Sequence, residues 1–225
     1  MRASACRRAE PRRENNVDDG HQSAQIYLIA DAGPNLAERM AAALDAVPVA
    51  TVLLEPAPGQ TFDAPTLKPH VEAIQARGIA VLVAGDASLA RTLRADGVHL
   101  AAGADIAARL AEARDVLGTR YIVGVGAGPS RHDAMELGEA GVDYVAFGSG
   151  DAADDATLDM LDWWSEIFEV PCVGFAAGSP EEARALAEAG ADFIACRLPR
   201  ATTAAEVRDA MTAIDAALDL SASAA

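Results

Sequence analysis

The feature of this sequence that most constrains its fold is a rhythm. Eight short β-type runs, at residues 26–30, 49–54, 79–84, 97–100, 121–125, 144–147, 172–175 and 193–196, begin about 24 residues apart. The stretches between them carry apolar residues at helical spacing, as in Leu36-Ala37-Met40-Ala41-Leu44 and Ile106-Leu110-Ala113-Leu117. A last amphipathic stretch, 204–220, puts Val207, Met211, Ile214 and Leu218 on one face. The runs are mostly apolar rather than alternating, as expected for parallel strands covered on both faces. Eight such units close most naturally into an α/β fold of the (β/α)₈ TIM-barrel type, expected over residues 25–225. An open doubly wound sheet is the alternative, but it normally uses about five or six strands and leaves the rest unplaced.

Three junctions share a local grammar: Ala95-Asp96-Gly97-Val98, Ala140-Gly141-Val142-Asp143 and Ala189-Gly190-Ala191-Asp192. In each, the glycine is expected to end a helix in the left-handed conformation that other residues resist. Ser179-Pro180-Glu181-Glu182 gives a helix start its cap residue, its N1 proline and two acids.

Composition narrows the function classes. No apolar run approaches the length of a membrane span. Cys6, Cys172 and Cys196 lack the spacing of a zinc or disulfide framework, which points to a reducing cytoplasm. Net charge is −16, yet five of the 18 basic residues fall in the first 13 positions. Residues 1–24 are therefore expected to form a separate, disordered or loosely attached tail. The acidic remainder excludes nucleic acid and anionic membrane as partners. Lys68 is the one lysine, so a lysine phosphate clamp must use it or be absent.

Chemistry in this fold belongs at the C-terminal ends of the strands. There the chain offers Asp31, Glu55, Gly85-Asp86, Asp105, Gly148-Ser149, Ala177-Gly178-Ser179 and Arg197. Ile26-Tyr27-Leu28-Ile29-Ala30-Asp31, Ala95-Asp96-Gly97-Val98-His99-Leu100 and Gly141-Val142-Asp143-Tyr144-Val145-Ala146-Phe147-Gly148 resemble the thiamine-phosphate synthase family. So do Pro171-Cys172-Val173-Gly174-Phe175 and the Ser179 and Ala189 stretches, so that the likeness runs from about residue 25 to 217. The resemblance implies a barrel that joins a pyrimidine diphosphate to a thiazole phosphate with Mg²⁺, releasing pyrophosphate.

The family's site residues carry over unevenly. Its Gln-x-Arg-x-Lys grip on the diphosphate falls on Leu53-Leu54-Glu55-Pro56-Ala57. Its Asn-Asp metal pair falls on Ala84-Gly85, and its second metal Asp on Ala104, with Asp86 and Asp105 one residue later. Its Ser-Thr-His loop becomes Gly126-Ala127-Gly128-Pro129, and its Thr-x-Thr-Lys loop becomes the acidic stretch from Ser149 to Asp155. Asp86 and Asp105 thus fit either a shifted Mg²⁺ pair or two helix caps. His99 fits a structural role or a base. His132 lies near the loop where the related thiazole tautomerase holds its catalytic histidine. Trp163-Trp164 fits core packing or a homodimer contact. The implied anion site is the backbone N–H groups of Ala177, Gly178 and Ser179 with Arg197 alongside, unless Arg197 pairs with an acid. The expected function is a divergent synthase-like barrel with weak or absent synthase activity that takes a small phosphorylated molecule. The alternatives are a tautomerase-like isomerase and a non-catalytic barrel that binds a phosphorylated ligand or a partner.

Overall fold

In the computed structural model, residues 24–148, 154–200 and 203–222 are described. The tail expected over residues 1–24 lies almost wholly outside them, as does Ser149. Strands β1 (Gln25–Asp31), β2 (Thr51–Glu55), β3 (Ala80–Ala84), β4 (Gly97–Leu100), β5 (Ile122–Gly126), β6 (Tyr144–Phe147), β7 (Cys172–Ala177) and β8 (Phe193–Arg197) pair in sequence order, all parallel, and close with β8 on β1. Helices α1 (Leu36–Ala46), α2 (Ala64–Gln75), α3 (Ala87–Leu93), α4 (Ile106–Leu117), α5 (Arg131–Glu139), α6 (Asp155–Ile167), α7 (Pro180–Glu188) and α8 (Ala204–Ala222) alternate with them. This is the expected (β/α)₈ barrel, with no strand bound moved by more than two residues.

Strand parity divides the core in two. Ile26, Leu28 and Ala30 of β1 face the helices, as do Val98 and Leu100 of β4 and Ile194 and Cys196 of β8. Tyr27 and Ile29 of β1, Leu53 of β2, Leu82 of β3, Tyr144 and Ala146 of β6, Val173 of β7 and Ala195 of β8 face the barrel axis. The interior is crowded, so bulk on one strand needs vacancy on another. A Cβ at Gly124 would lie 1.8 Å from the Tyr144 ring, so glycine is what lets that ring enter.

The junction grammar holds in two cases and fails in one. Gly141 (φ 79°) and Gly190 (φ 88°) take the left-handed conformation. At the first junction Arg94 does so instead (φ 57°), and Gly97 is already in β4. The reason is a close approach: a Cβ at Gly97 would lie 1.9 Å from the Ile122 carbonyl oxygen. Glycine is required there, and the helix end falls to the arginine.

The aspartates of the same grammar have a role of their own. Asp96, Asp143 and Asp192 each accept, through the side chain, the N–H of the first or second residue of the preceding strand. The donors are Val81 at 2.7 Å, Val123 at 2.7 Å and Cys172 at 2.8 Å. Each aspartate also donates its own N–H to the same residue's carbonyl. These clips close the strand starts of alternate pairs at the end of the barrel away from the mouth. Asp143→Ala should lose about 1–3 kcal/mol by leaving the buried Val123 N–H unmet. Urea unfolding should show a lower midpoint at unchanged slope, with Asp143→Asn recovering part of the loss. An unchanged midpoint for Asp143→Ala would remove the clip from the account of stability.

Candidate functional site

The parity that aims Tyr27 and Ile29 inward also aims Asp31, at the end of β1, toward the mouth. Leu53 and Glu55 stand in the same relation on β2, and Ala195 and Arg197 on β8. Because β1 is flanked by β2 and β8, these three ends are neighbours. Here the polar residues gather.

Asp31 is the centre of the cluster. Its side chain is 12% exposed, with one oxygen accepting from Arg39 at 2.9 Å and the other 2.8 Å from Arg200 Nε. Arg39 is itself 8% exposed and reaches the Pro199 carbonyl with its other terminal nitrogen at 3.3 Å. Burial on its own would raise the Asp31 carboxyl, but the hydrogen bond and charge of Arg39, then those of Arg200, hold it below the ordinary carboxylate range. One turn of the mouth away, Arg197 donates to Glu55 at 2.6 Å. Asp31, Glu55, Pro56, Arg197, Pro199 and Arg200 border a cavity of about 450 Å³.

Across the mouth lies a second cavity of about 410 Å³, bordered by Ala102, Gly128, Pro129, Gly148, Asp154 and Thr157. Gly148 has φ 87°, and a Cβ there would lie 2.7 Å from the Phe175 carbonyl oxygen. Asp154 is a helix cap, accepting from Thr157 N at 2.9 Å and from its hydroxyl at 2.6 Å.

The backbone cradle after β7 is already engaged. Gly178 N and Ser179 N donate to Glu182 Oε2 at 2.7 and 3.1 Å, while Ser179 Oγ accepts from Glu182 N. This is a capping box, and its carboxylate stands where an anion would bind.

The remaining candidates are dispersed. Asp86 accepts from Leu89 N at 2.8 Å as the cap of α3. Asp105 stands at the N-cap position of α4 without a side-chain cap bond, 4.0 Å from Arg109. No group of three or more acidic, histidine or cysteine side chains among the described residues could hold a metal ion. The described residues thus offer no ready-made cage of three or more carboxylates for Mg²⁺, an ion that commonly takes one or two carboxylates and completes its shell from phosphate oxygens. His132 is 77% exposed in the first turn of α5, 3.3 Å from Glu136, and borders neither mouth cavity. Lys68 is on α2 beside Glu72, so it supplies no phosphate clamp at the cluster. Cys172 and Cys196 are buried, with burial pushing each thiol up to about 12.

Arg39 and Arg200 escape a reading by sequence pattern. Arg39 carries a visible signal, a charged residue next to Met40 on the apolar stripe of α1, whereas Arg200 lies in a loop without periodicity.

A closed parallel barrel with an ion-pair cluster at the C-terminal ends of β1, β2 and β8 is a (β/α)₈ barrel, a fold whose sites lie at that end. The sequence profile described as "Thiamine monophosphate synthase" matches residues 26–198. A curated thiamine-phosphate synthase of Rhodospirillum centenum is 41% identical over 184 residues, covering 76% of this chain and 86% of that one. A curated thiamine-phosphate synthase of Erythrobacter litoralis is 46% identical over 129 residues, 53% of this chain and 59% of that one. The chain belongs to the thiamine-phosphate synthase family. Among solved structures, the thiamine phosphate pyrophosphorylase of Pyrococcus furiosus superposes with a TM-score of 0.68 at 19% identity, covering 88% of this chain and 97% of that one, which supports the fold.

Arg39→Leu should destabilise the protein by about 3 kcal/mol, the scale of breaking a buried ion pair. Because the Asp31 pKa is depressed in the folded state, that difference should be full above about pH 4 and narrow as pH falls through the carboxylate range. Thermal melts of both proteins across pH 2.5–7 check it, and a pH-independent gap would count against the ion pair.

Proposed function

We propose that this chain is a divergent member of its family that binds a small phosphorylated molecule at the barrel mouth, with weak or absent formation of thiamine phosphate. The observation that carries this reading is the Arg197–Glu55 pair at 2.6 Å. Glu55 occupies the position where the family's cationic grip on the diphosphate is expected, and it takes up the charge of Arg197. A diphosphate brought there meets a carboxylate instead of two cations. Each charge-assisted hydrogen bond that the diphosphate cannot make here is worth about 1.5–3 kcal/mol.

What the mouth retains suits a lesser charge. Three guanidinium groups, Arg39, Arg197 and Arg200, face two carboxylates, Asp31 and Glu55. That surplus of one cation, in an otherwise acidic protein, favours a single phosphate monoester. A ligand phosphate can replace Glu55 on Arg197 by rotation of a side chain, without movement of the backbone. The relatives' names point to thiamine phosphate synthesis; the side chains after β2 and β3 oppose its most charged step. The isomerase alternative is weakened because His132 pairs with Glu136 in solvent. We assign the protein to the cytoplasm on its two buried free thiols. Among the described residues, no helix is long and apolar enough to cross a membrane.

Incubation with the pyrimidine diphosphate, thiazole phosphate and Mg²⁺ should yield no thiamine phosphate above background. Turnover within tenfold of an ordinary family member would overturn the proposal. In calorimetric titration, thiazole phosphate should bind the wild type, and Arg197→Ala should weaken it by about 1.5–3 kcal/mol. Binding indifferent to that substitution would remove Arg197 from the site.

A further inference from the structure

At the end of the barrel opposite the mouth, a groove of about 430 Å³ runs beside the start of β1, bordered by Ala24, Gln25, Pro48, Val49, Asp215 and Asp219. One wall is fixed by the sheet. Gln25 N donates to the Asp192 carbonyl at 2.9 Å, and the Ile26 carbonyl accepts from Ala50 N at 3.0 Å. The other wall is the second half of α8, which reaches this end because each helix runs back from the mouth toward the strand starts. Between the walls the groove is apolar, with Ile26, Val49 and Leu218 buried.

The charge of the groove is one-sided. Asp215 and Asp219 are one helical turn apart and share a face of α8. Burial and then the neighbouring Asp219 raise the half-buried Asp215 carboxyl above its ordinary value, and among the described residues no cation acts on it. The carbonyl end of a helix favours positive charge, yet α8 has no basic residue in its last turn. Helix end and carboxylates thus ask for a cation that α8 does not supply.

The chain that enters the groove carries such cations. The described residues begin at Ala24, in the groove wall, so residues 1–23 lead directly into it. The first 13 residues hold five arginines and one acid, Glu10, in a protein of net charge −16. Fully extended, the chain from Arg13 to Ala24 would cover about 36 Å, whereas α8 is about 28 Å long. The arginines therefore reach both aspartates with slack, and Asp19-Gly20 is a turn-forming pair at which the chain can reverse.

We propose that the groove beside β1 is the docking site of this chain's own arginine-rich segment, residues 2–13, which brings a guanidinium to Asp215 and Asp219. Tethering gives that segment an effective concentration of about millimolar at the groove, which favours it over the same segment of a second copy. Docking there holds its arginines at the end of the barrel away from Arg197 and Arg200, so that they neither cover the mouth nor compete for its ligand. The inference is independent of the phosphorylated-ligand reading.

A nitroxide label on Cys6 of the full chain tests it. Cys172 and Cys196 are buried, so a thiol-reactive label attaches at Cys6. In amide NMR at low salt, the signals of Gln25, Val49, Asp215 and Asp219 should lose intensity to the label, while those of Glu55 and Arg197 at the mouth keep theirs. The lost signals should return at about 1 M NaCl, where the screening length is about 3 Å. They should also return in Asp215→Lys, and in the combined Arg7→Gln, Arg8→Gln, Arg12→Gln and Arg13→Gln variant, which leaves the barrel unaltered. Absent, uniformly spread or mouth-centred losses overturn the inference, as do losses that persist in the arginine variant. Losses that appear when nitroxide-bearing protein is mixed with isotope-labelled, nitroxide-free protein place the segment on a second copy and overturn docking within one chain.

Discussion

Closure of the strands in register is the constraint on which the rest of this molecule depends. Once β8 pairs with β1, every strand is committed to one parity, and a residue cannot leave the interior row without dragging its whole strand with it. The interior row must then fill a narrow space. Tyr144 enters because Gly124 withdraws, and β4 approaches β5 because Gly97 has no side chain. The same parity leaves Asp31, Glu55 and Arg197 at the rim, where they meet as neighbours on adjacent strands. Core and site are thus two consequences of one alignment.

The two ends of the barrel use their carboxylates differently. At the strand starts, Asp96, Asp143 and Asp192 hold backbone N–H groups of the preceding strands, an arrangement fixed by sheet geometry, and Asp143 adds Arg114 at 2.8 Å. At the mouth, Asp31 and Glu55 hold arginine side chains, which can rotate to other partners. An acid bound to a guanidinium holds a charge that a ligand can compete for.

Much of the fold was legible in the sequence because parallel strands buried on both faces advertise themselves as apolar runs, and glycines such as Gly141 and Gly190 mark where helices end. Gly97 misled because glycine answers two needs, a left-handed backbone and a close approach, and the letter does not say which. The site was less legible because its interactions are non-local. Arg39 and Asp31 are eight residues apart, but Arg197 and Glu55 are 142 apart, and their pairing follows only from barrel closure. The Ser179-to-Glu182 capping box was readable as a helix start. Its consequence, a carboxylate on the N–H groups of an expected anion cradle, depends on side-chain geometry that spacing alone does not supply.

Those internal carboxylates shape what the mouth can accept. Glu55 on Arg197 and Glu182 on the α7 backbone are each singly charged acceptors tethered at high effective concentration. A monoanionic ligand gains little by replacing them, since it offers the same charge and loses the entropy of association as well. On the proposed reading a phosphate dianion would bring more charge than either carboxylate to a cavity that Arg197 and Arg200 both border, while Asp31 keeps Arg39 as a partner. The buried arginine thus has a consequence beyond stability. Because Arg39 also holds Asp31, a change of partner by the exposed Arg200 would not leave that buried carboxylate uncompensated, a cost that would otherwise oppose the proposed binding.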